Sequence, residues 1–115
     1  MTSSTIPGAV RFEGLSVGTE IWGATQANFL VSVPGHHAKE AAILLNDPAA
    51  KLLSEMTGSE NTEEFRAEAA KVAGEMILTD RLSRGAPIES VMSLSSSFFR
   101  EEPEVAERIK AALTK

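Results

Sequence analysis

The longest helix-like pattern of apolar and polar positions runs from Glu63 to Arg84 and contains no proline. Signals at both ends agree with this length. Asn61 as N-cap places Glu64 at the N3 position of a capping box, and Gly85 follows the last turn. The pattern therefore predicts a central helix over residues 62–84. Its apolar positions recur at spacings of three and four, which places them on one side of the helix: Phe65, Ala69, Val72, Ala73, Met76 and Ile77.

The same helix has a second side made mostly of small residues, which lets another backbone approach closely. Either a helix at 88–99 covers this side within the chain, or a second copy covers it, and symmetric homodimers are the commonest oligomers. Phe98 and Phe99 form a further candidate patch because aromatic side chains are enriched at interfaces. The predicted protein interface therefore consists of Ala67, Ala70, Gly74, Leu78, Leu82, Phe98 and Phe99.

Residues 9–33 show a different pattern, with apolar side chains at every second position. The clearest alternation is Ala27, Phe29, Val31 and Val33 against the intervening residues. It predicts an antiparallel β-hairpin or small sheet, with a turn at 18–20 and bends or bulges at Gly14, Gly18 and Gly23. Residues 1–8 are small and polar and end in Pro7-Gly8, which indicates a disordered lead-in.

Shorter helical patterns follow. Residues 36–45 and 49–56 suggest two short helices separated by Asn46-Asp47-Pro48, with a single kinked helix over 37–57 as the alternative. Pro87 can begin a helix at 88–99, although five serines between 90 and 97 give it poor intrinsic propensity. Apolar residues at helical spacing predict a last helix after Pro103, whose buried side consists of Val105, Ala106, Ile109, Ala112 and Leu113.

These patterns together predict an α+β fold that is mostly α. An N-terminal β-hairpin or small antiparallel sheet precedes four to five helices packed around the helix at 62–84. The length of 115 residues fits one domain, here 9–115, comprising a hairpin region at 9–33 and a helical region at 36–115.

Composition narrows the classes of function. The chain has no cysteine, which excludes disulfides, thiolate nucleophiles and cysteine-based metal sites within it. Its apolar runs are far shorter than the roughly 20 residues that span a bilayer, and the first residues lack a secretory signal pattern. We therefore expect a cytoplasmic protein without membrane contact. The net charge of −5 disfavours a surface built for phosphate backbones and is compatible with a small bacterial or phage protein that binds a larger basic partner.

Candidate chemistry is sparse. The only histidines, His36 and His37, are adjacent, so their side chains diverge and are poorly placed to share a metal ion. The acidic clusters at 60–68 and 101–107 coincide with predicted helix starts and solvated faces. No nucleophile elbow, phosphate-binding loop or calcium loop is present. The sequence therefore predicts no catalytic, metal or cofactor-binding residues, and an enzyme would need a pocket that joins a histidine to Asp47 or Asp80.

The function expected from this sequence is a small non-catalytic protein-interaction or regulatory module, acting as a homodimer. The alternative is a DNA-binding transcriptional regulator with a helix-turn-helix at about 76–100. In that alternative the turn at 82–88 joins two helices, although Glu89 would lie beside the phosphates. The residues then in contact with nucleic acid are Arg81, Arg84, Ser90, Ser93 and Arg100.

Overall fold

The computed structural model describes residues 9–15, 24–33 and 35–114. The predicted lead-in at 1–8 and the predicted turn at 18–20, with Gly18 and Gly23, lie outside the described residues. The elements follow the order β1 (Ala9–Leu15), β2 (Ala24–Ser32), β3 (Lys39–Asn46), α1 (Asp47–Thr57), α2 (Glu63–Arg84), β4 (Val91–Leu94), α3 (Ser96–Glu101) and α4 (Pro103–Leu113).

The four strands form one mixed sheet in the order β1-β2-β3-β4. β1, β2 and β3 are antiparallel neighbours, whereas β4 pairs in parallel with β3. The parallel pair requires a crossover, which α1 and α2 supply between β3 and β4. A register shift between Phe12 and Gly14 marks a β-bulge in β1, and Gly14 has the positive φ of 122° that favours glycine there.

The helices pack on one face of this sheet. α2 contacts β1, β2 and β3, while α4 packs on α2, and α1 meets both α3 and α4. Strand residues on the helix-covered face are buried because α2 lies over them: Ala27, Phe29, Val31, Ala41, Ile43 and Leu45. Met92 and Leu94 of β4 extend the same core. The molecule is therefore a two-layer arrangement of sheet and helices.

The mostly helical fold predicted from the sequence is wrong. Residues 39–46 form the strand β3, so the first predicted short helix, at 36–45, and the alternative single kinked helix over 37–57 are both absent. The second predicted short helix, at 49–56, is present as α1. The run Ala41 to Leu45 is apolar at every position, so it fits a helical stripe and a strand equally well. Pairing with β2 on one side and β4 on the other decides for the strand.

The predicted helix at 88–99 is also replaced. Residues 91–94 form β4, in which buried Met92 and Leu94 alternate with exposed Val91 and Ser93. The helix α3 begins only after Ser95, whose hydroxyl accepts a hydrogen bond from the Phe98 N–H at 3.2 Å. The serines lower the helix propensity of this segment. As a strand, the segment forms backbone hydrogen bonds with the edge of β3.

The central helix agrees with its apolar periodicity, while its N-cap is one residue later than predicted. α2 spans Glu63–Arg84, and the Thr62 hydroxyl accepts a hydrogen bond from the Phe65 N–H at 3.0 Å. Asn61, predicted as the cap, instead accepts from the Arg66 guanidinium. Gly85 ends the helix in the left-handed conformation with φ of 69°.

Replacing Thr62 with alanine removes this cap, and we expect it to lower the free energy of unfolding by about 1 kcal/mol. Urea unfolding followed by circular dichroism measures the change. Asn61→Ala is the matched control, because it removes only a weak exposed contact to Arg66 at 3.4 Å. A larger loss for Asn61→Ala than for Thr62→Ala would contradict the assignment of Thr62 as the cap.

Candidate binding surfaces

The predicted interface on α2 lies mostly inside the molecule. Ala70 and Leu78 are fully buried, and Gly74 lies directly under Phe29 and Ile43 of the sheet. Ala67 and Leu82 are half-buried. The side of small residues is therefore covered within the chain, by the sheet rather than by a helix at 88–99.

The predicted aromatic patch is also turned largely inward. Phe99 is 2% exposed and belongs to the core. Phe98 is half-buried and packs edge-to-face on Phe99, with ring centroids 5.4 Å apart. Only part of the Phe98 ring is available to a partner.

The residues expected to contact nucleic acid do not lie on a second helix packed after α2. Ser90 precedes β4, Ser93 lies on it, and Arg100 is on α3, so the elements after α2 depart from a helix-turn-helix. Arg81 and Arg84 lie in the last turn of α2, where each has a carboxylate partner. The Arg81 guanidinium is 3.6 Å from Glu89, and that of Arg84 is 3.3 Å from Asp80.

The histidines do not meet an aspartate in the arrangement that a catalytic site would need. His36 and His37 line a cleft that includes Ser83 but neither Asp47 nor Asp80. The Ser83 hydroxyl donates to the Asp80 main-chain carbonyl at 2.9 Å, while the Asp80 carboxylate faces Arg84. Among the described residues, no group of three or more acidic, histidine or cysteine side chains is arranged to hold a metal ion.

The face of the sheet opposite the helices is one candidate surface, which we call the open face. In its interior, the side chains of Leu30, Ala42 and Leu44 are half-buried, whereas their neighbours on the helix-covered face are fully buried. Val91 at its edge is 55% exposed. No described helix covers these side chains. Gln26 and Asn28 of β2 pair with Leu44 and Ala42, so the centre of the open face mixes apolar and polar side chains, as protein interfaces commonly do.

One row across the open face has charges of opposite sign at its ends. Arg11 pairs with Leu30 in the β1–β2 register, and Leu30 pairs with Glu40 in the β2–β3 register. Directly paired residues project to the same face, so the row presents a cation, an apolar side chain and an anion across three strands. The Arg11 guanidinium also lies 2.9 Å from Glu13 on its own strand.

A second candidate surface is the cleft lined by His36 and His37, which we call the His–Lys cleft. Its volume is about 630 Å³, within the range of roughly 300–1,000 Å³ of small-ligand sites. Two tight turns form its walls, one after β2 and the other after α2. Its lining residues are Val33, His36, His37, Lys39, Leu82, Ser83, Gly85, Ala86, Pro87 and Ile88.

The walls of the His–Lys cleft are held by backbone and side-chain hydrogen bonds. The His36 N–H donates to the Val33 carbonyl at 3.0 Å, and the Ala86 N–H donates to the Arg81 carbonyl at 2.9 Å. The Lys39 ammonium donates to the Ile88 carbonyl, which joins the start of β3 to the connection between α2 and β4. The cleft is therefore a formed feature of the fold.

Sequence reasoning missed both surfaces. Alternation in β1 and β2 is visible in the sequence, but the row from Arg11 to Glu40 exists only because β3 is a strand in the observed register. The two walls of the His–Lys cleft lie about fifty positions apart in the chain, as the 49-residue separation of Lys39 and Ile88 shows. The Pro34-Gly35 and Gly85 turn signals mark each wall without showing that they meet.

Comparison of the chain with protein-family models, curated proteins and solved structures finds no match in any of the three. Of the helices that the structure describes, none has the length and apolar character needed to cross a membrane.

Proposed function

We propose that this chain is a small non-catalytic protein-interaction module that forms a homodimer through the open face of its sheet. The observation that carries the proposal is the row formed by Arg11, Leu30 and Glu40. A homodimer with two-fold symmetry brings the same surface of both copies together, so that surface must be complementary to itself. This row meets that condition.

The symmetry can be stated in terms of the strands. A two-fold axis that runs parallel to the strands above β2 places Leu30 over Leu30 of the second copy. The same rotation places Arg11 over Glu40 of the second copy, and Glu40 over Arg11. Sheets that pack face to face lie about 10 Å apart, a gap that an arginine and a glutamate side chain bridge together. The strands remain nearly aligned, as in other packed sheets.

The existing ion pair of Arg11 is compatible with this contact. Arg11 and Glu13 are 69% and 43% exposed, so their pairing at 2.9 Å is a surface interaction of small free energy. A guanidinium has five N–H donors and can pair with two carboxylates at once. The contact with the second copy therefore does not require the pair within the chain to break.

The area of the open face indicates how strong the dimer is. Three strands about 4.8 Å apart and some 25 Å long, with the shorter β4 beside them, present roughly 400 Å². A standard protein interface buries about 800 Å² on each partner. The open face alone therefore forms a weak dimer whose population depends on concentration, as expected for a module that exchanges partners.

Charge reversal tests this arrangement. In the Arg11→Glu dimer, the introduced glutamate of each copy faces Glu40 of the other copy. In the Glu40→Arg dimer, the introduced arginine of each copy faces Arg11 of the other copy. We expect each variant to raise the dimer dissociation constant at least tenfold, since each reversal removes two attractive pairs of roughly 0.5–1 kcal/mol each and adds two repulsive ones. Sedimentation equilibrium between about 10 µM and 500 µM protein, at low and high salt, measures the constant.

Mixing the two variants provides the decisive control. A heterodimer of Arg11→Glu with Glu40→Arg restores opposite charges at both ends of the row, so the mixture should dimerise as the original chain does. Lys51→Glu and Glu104→Arg make the same charge changes on exposed positions of α1 and α4 and should leave the constant unchanged. A chain that stays monomeric across the whole concentration range, or a mixture that fails to associate, would refute the proposed dimer.

A further inference from the structure

We propose that the His–Lys cleft binds a small amphiphilic anion, meaning a carboxylate attached to an apolar body. This inference goes beyond the homodimer, because the cleft and the open face use different residues. Volume, lining and charge each contribute to it.

The lining of the cleft combines aliphatic side chains with a few polar groups. Val33, Leu82, Ala86, Pro87 and Ile88 supply aliphatic surface. Ile88 is buried at 7% exposure, and Val33 and Leu82 pack against the core, so the core holds these three side chains in place. Apolar surface with a few polar groups is the usual composition of a small-ligand site.

The charges that line the cleft favour an anion. Its lining contains the Lys39 ammonium and two imidazoles and no carboxylate, in a chain whose net charge is −5. Lys39 uses one of its donors on the Ile88 carbonyl, and an ammonium has three, which leaves two for a ligand. Each imidazole adds an N–H donor. A carboxylate that accepts these hydrogen bonds would be held by charge and by geometry together.

The nearby acidic residues are directed elsewhere. Asp80 pairs with Arg84, and Glu89 lies 3.6 Å from Arg81. Glu40 belongs to the row on the open face. The carbonyl groups at the end of α2 carry partial negative charge. Two of these carbonyls, those of Leu82 and Arg81, already accept hydrogen bonds from the N–H groups of Gly85 and Ala86. The anion therefore meets donors without a competing carboxylate in the lining.

Binding of straight-chain probes tests the inference. Octanoate is the probe, and octanol and octylammonium have the same apolar body with no charge or the opposite charge. Isothermal titration calorimetry of the full chain should show octanoate binding at least tenfold tighter than either. NMR spectra should show octanoate shifting the imidazole signals of His36 and His37. Equal binding of the three probes, or shifts that spare both histidines, would overturn the proposal.

Variants locate the site and identify the charge. Lys39→Met keeps the aliphatic stem and removes the ammonium, so octanoate affinity should fall at least tenfold. Lys39→Arg should retain most of it. Ala86→Asp places a carboxylate in the lining and should abolish binding, and circular dichroism establishes that each variant is folded. Lys51→Met removes an exposed lysine of α1 that does not line the cleft and should have no effect. An unchanged affinity in both Lys39→Met and Ala86→Asp would refute the site.

Discussion

Gly74→Leu should lower the free energy of unfolding by about 3 kcal/mol, the upper end of the usual cost of overpacking a core. A Cβ atom at position 74 would lie 2.5 Å from Phe29 Cε1 and 2.9 Å from Ile43 Cγ1. Phe29 is 1% exposed and Ile43 fully buried, so neither side chain has free space to enter. Leucine adds three further carbons in the same direction.

The presence of glycine at this position has the same explanation. A glycine inside a helix costs about 1 kcal/mol relative to alanine. Gly74 lies in the middle of α2, where its backbone approaches the β2 and β3 side chains more closely than any residue with a Cβ atom would permit. The close approach of helix to sheet therefore outweighs the loss of helix propensity.

Urea unfolding and thermal melting measure the effect, which corresponds to a decrease in Tm of roughly 10–15 °C for a chain of this size. Glu68→Leu places the same side chain on an exposed position of α2 and should change stability by less than about 0.5 kcal/mol. Sedimentation of the folded fraction should show the dissociation constant of the proposed dimer unchanged, because α2 and the open face lie on opposite sides of the sheet. A Gly74→Leu variant as stable as the original chain would contradict the observed packing.

Phe29→Ala should cost about 3–5 kcal/mol, the range for truncating a buried aromatic side chain. The ring lies between α2 and the sheet, and its edge-to-face contact with Phe12, at a centroid distance of 5.5 Å, is lost as well. The more specific expectation concerns its coupling to Gly74. Gly74→Ala should destabilise the original chain and stabilise the Phe29→Ala chain.

The change of sign has a simple cause. In the original chain the new methyl group overlaps the Phe29 ring, whereas in Phe29→Ala it enters the cavity and improves helix propensity by about 1 kcal/mol. The freed space also lets the Ile43 side chain move away from the new methyl group.

A double-mutant cycle by urea unfolding measures the coupling. Phe29→Leu offers the same test in a milder form, since it keeps more of the core filled. Gly74→Ala effects of equal size and sign in both backgrounds would show that Phe29 and Gly74 do not share this contact.

The sequence by itself determined the elements whose patterns are long and bounded by specific residues. α2 follows from 22 residues of helical periodicity with a left-handed glycine after its last turn. α1 and α4 follow from the helical spacing of apolar residues after Pro48 and Pro103. The antiparallel pair β1–β2 follows from alternation, with the bulge near Gly14. In these segments the spacing of apolar residues fits either a helix or a strand but not both, so the pattern identifies the element.

Tertiary structure decided β3, β4 and α3, and both proposed surfaces. The segment 41–45 is apolar throughout and β4 is four residues long, so neither has a period that selects a strand. Their parallel pairing joins Ile43 to Met92, which lie far apart in the chain. In the resulting sheet, the side of small residues on α2 packs on one face, and no described helix covers the other face. The residues that form the charged row and the His–Lys cleft become neighbours only through these long-range contacts, because local patterns carry no information about which distant strands pair.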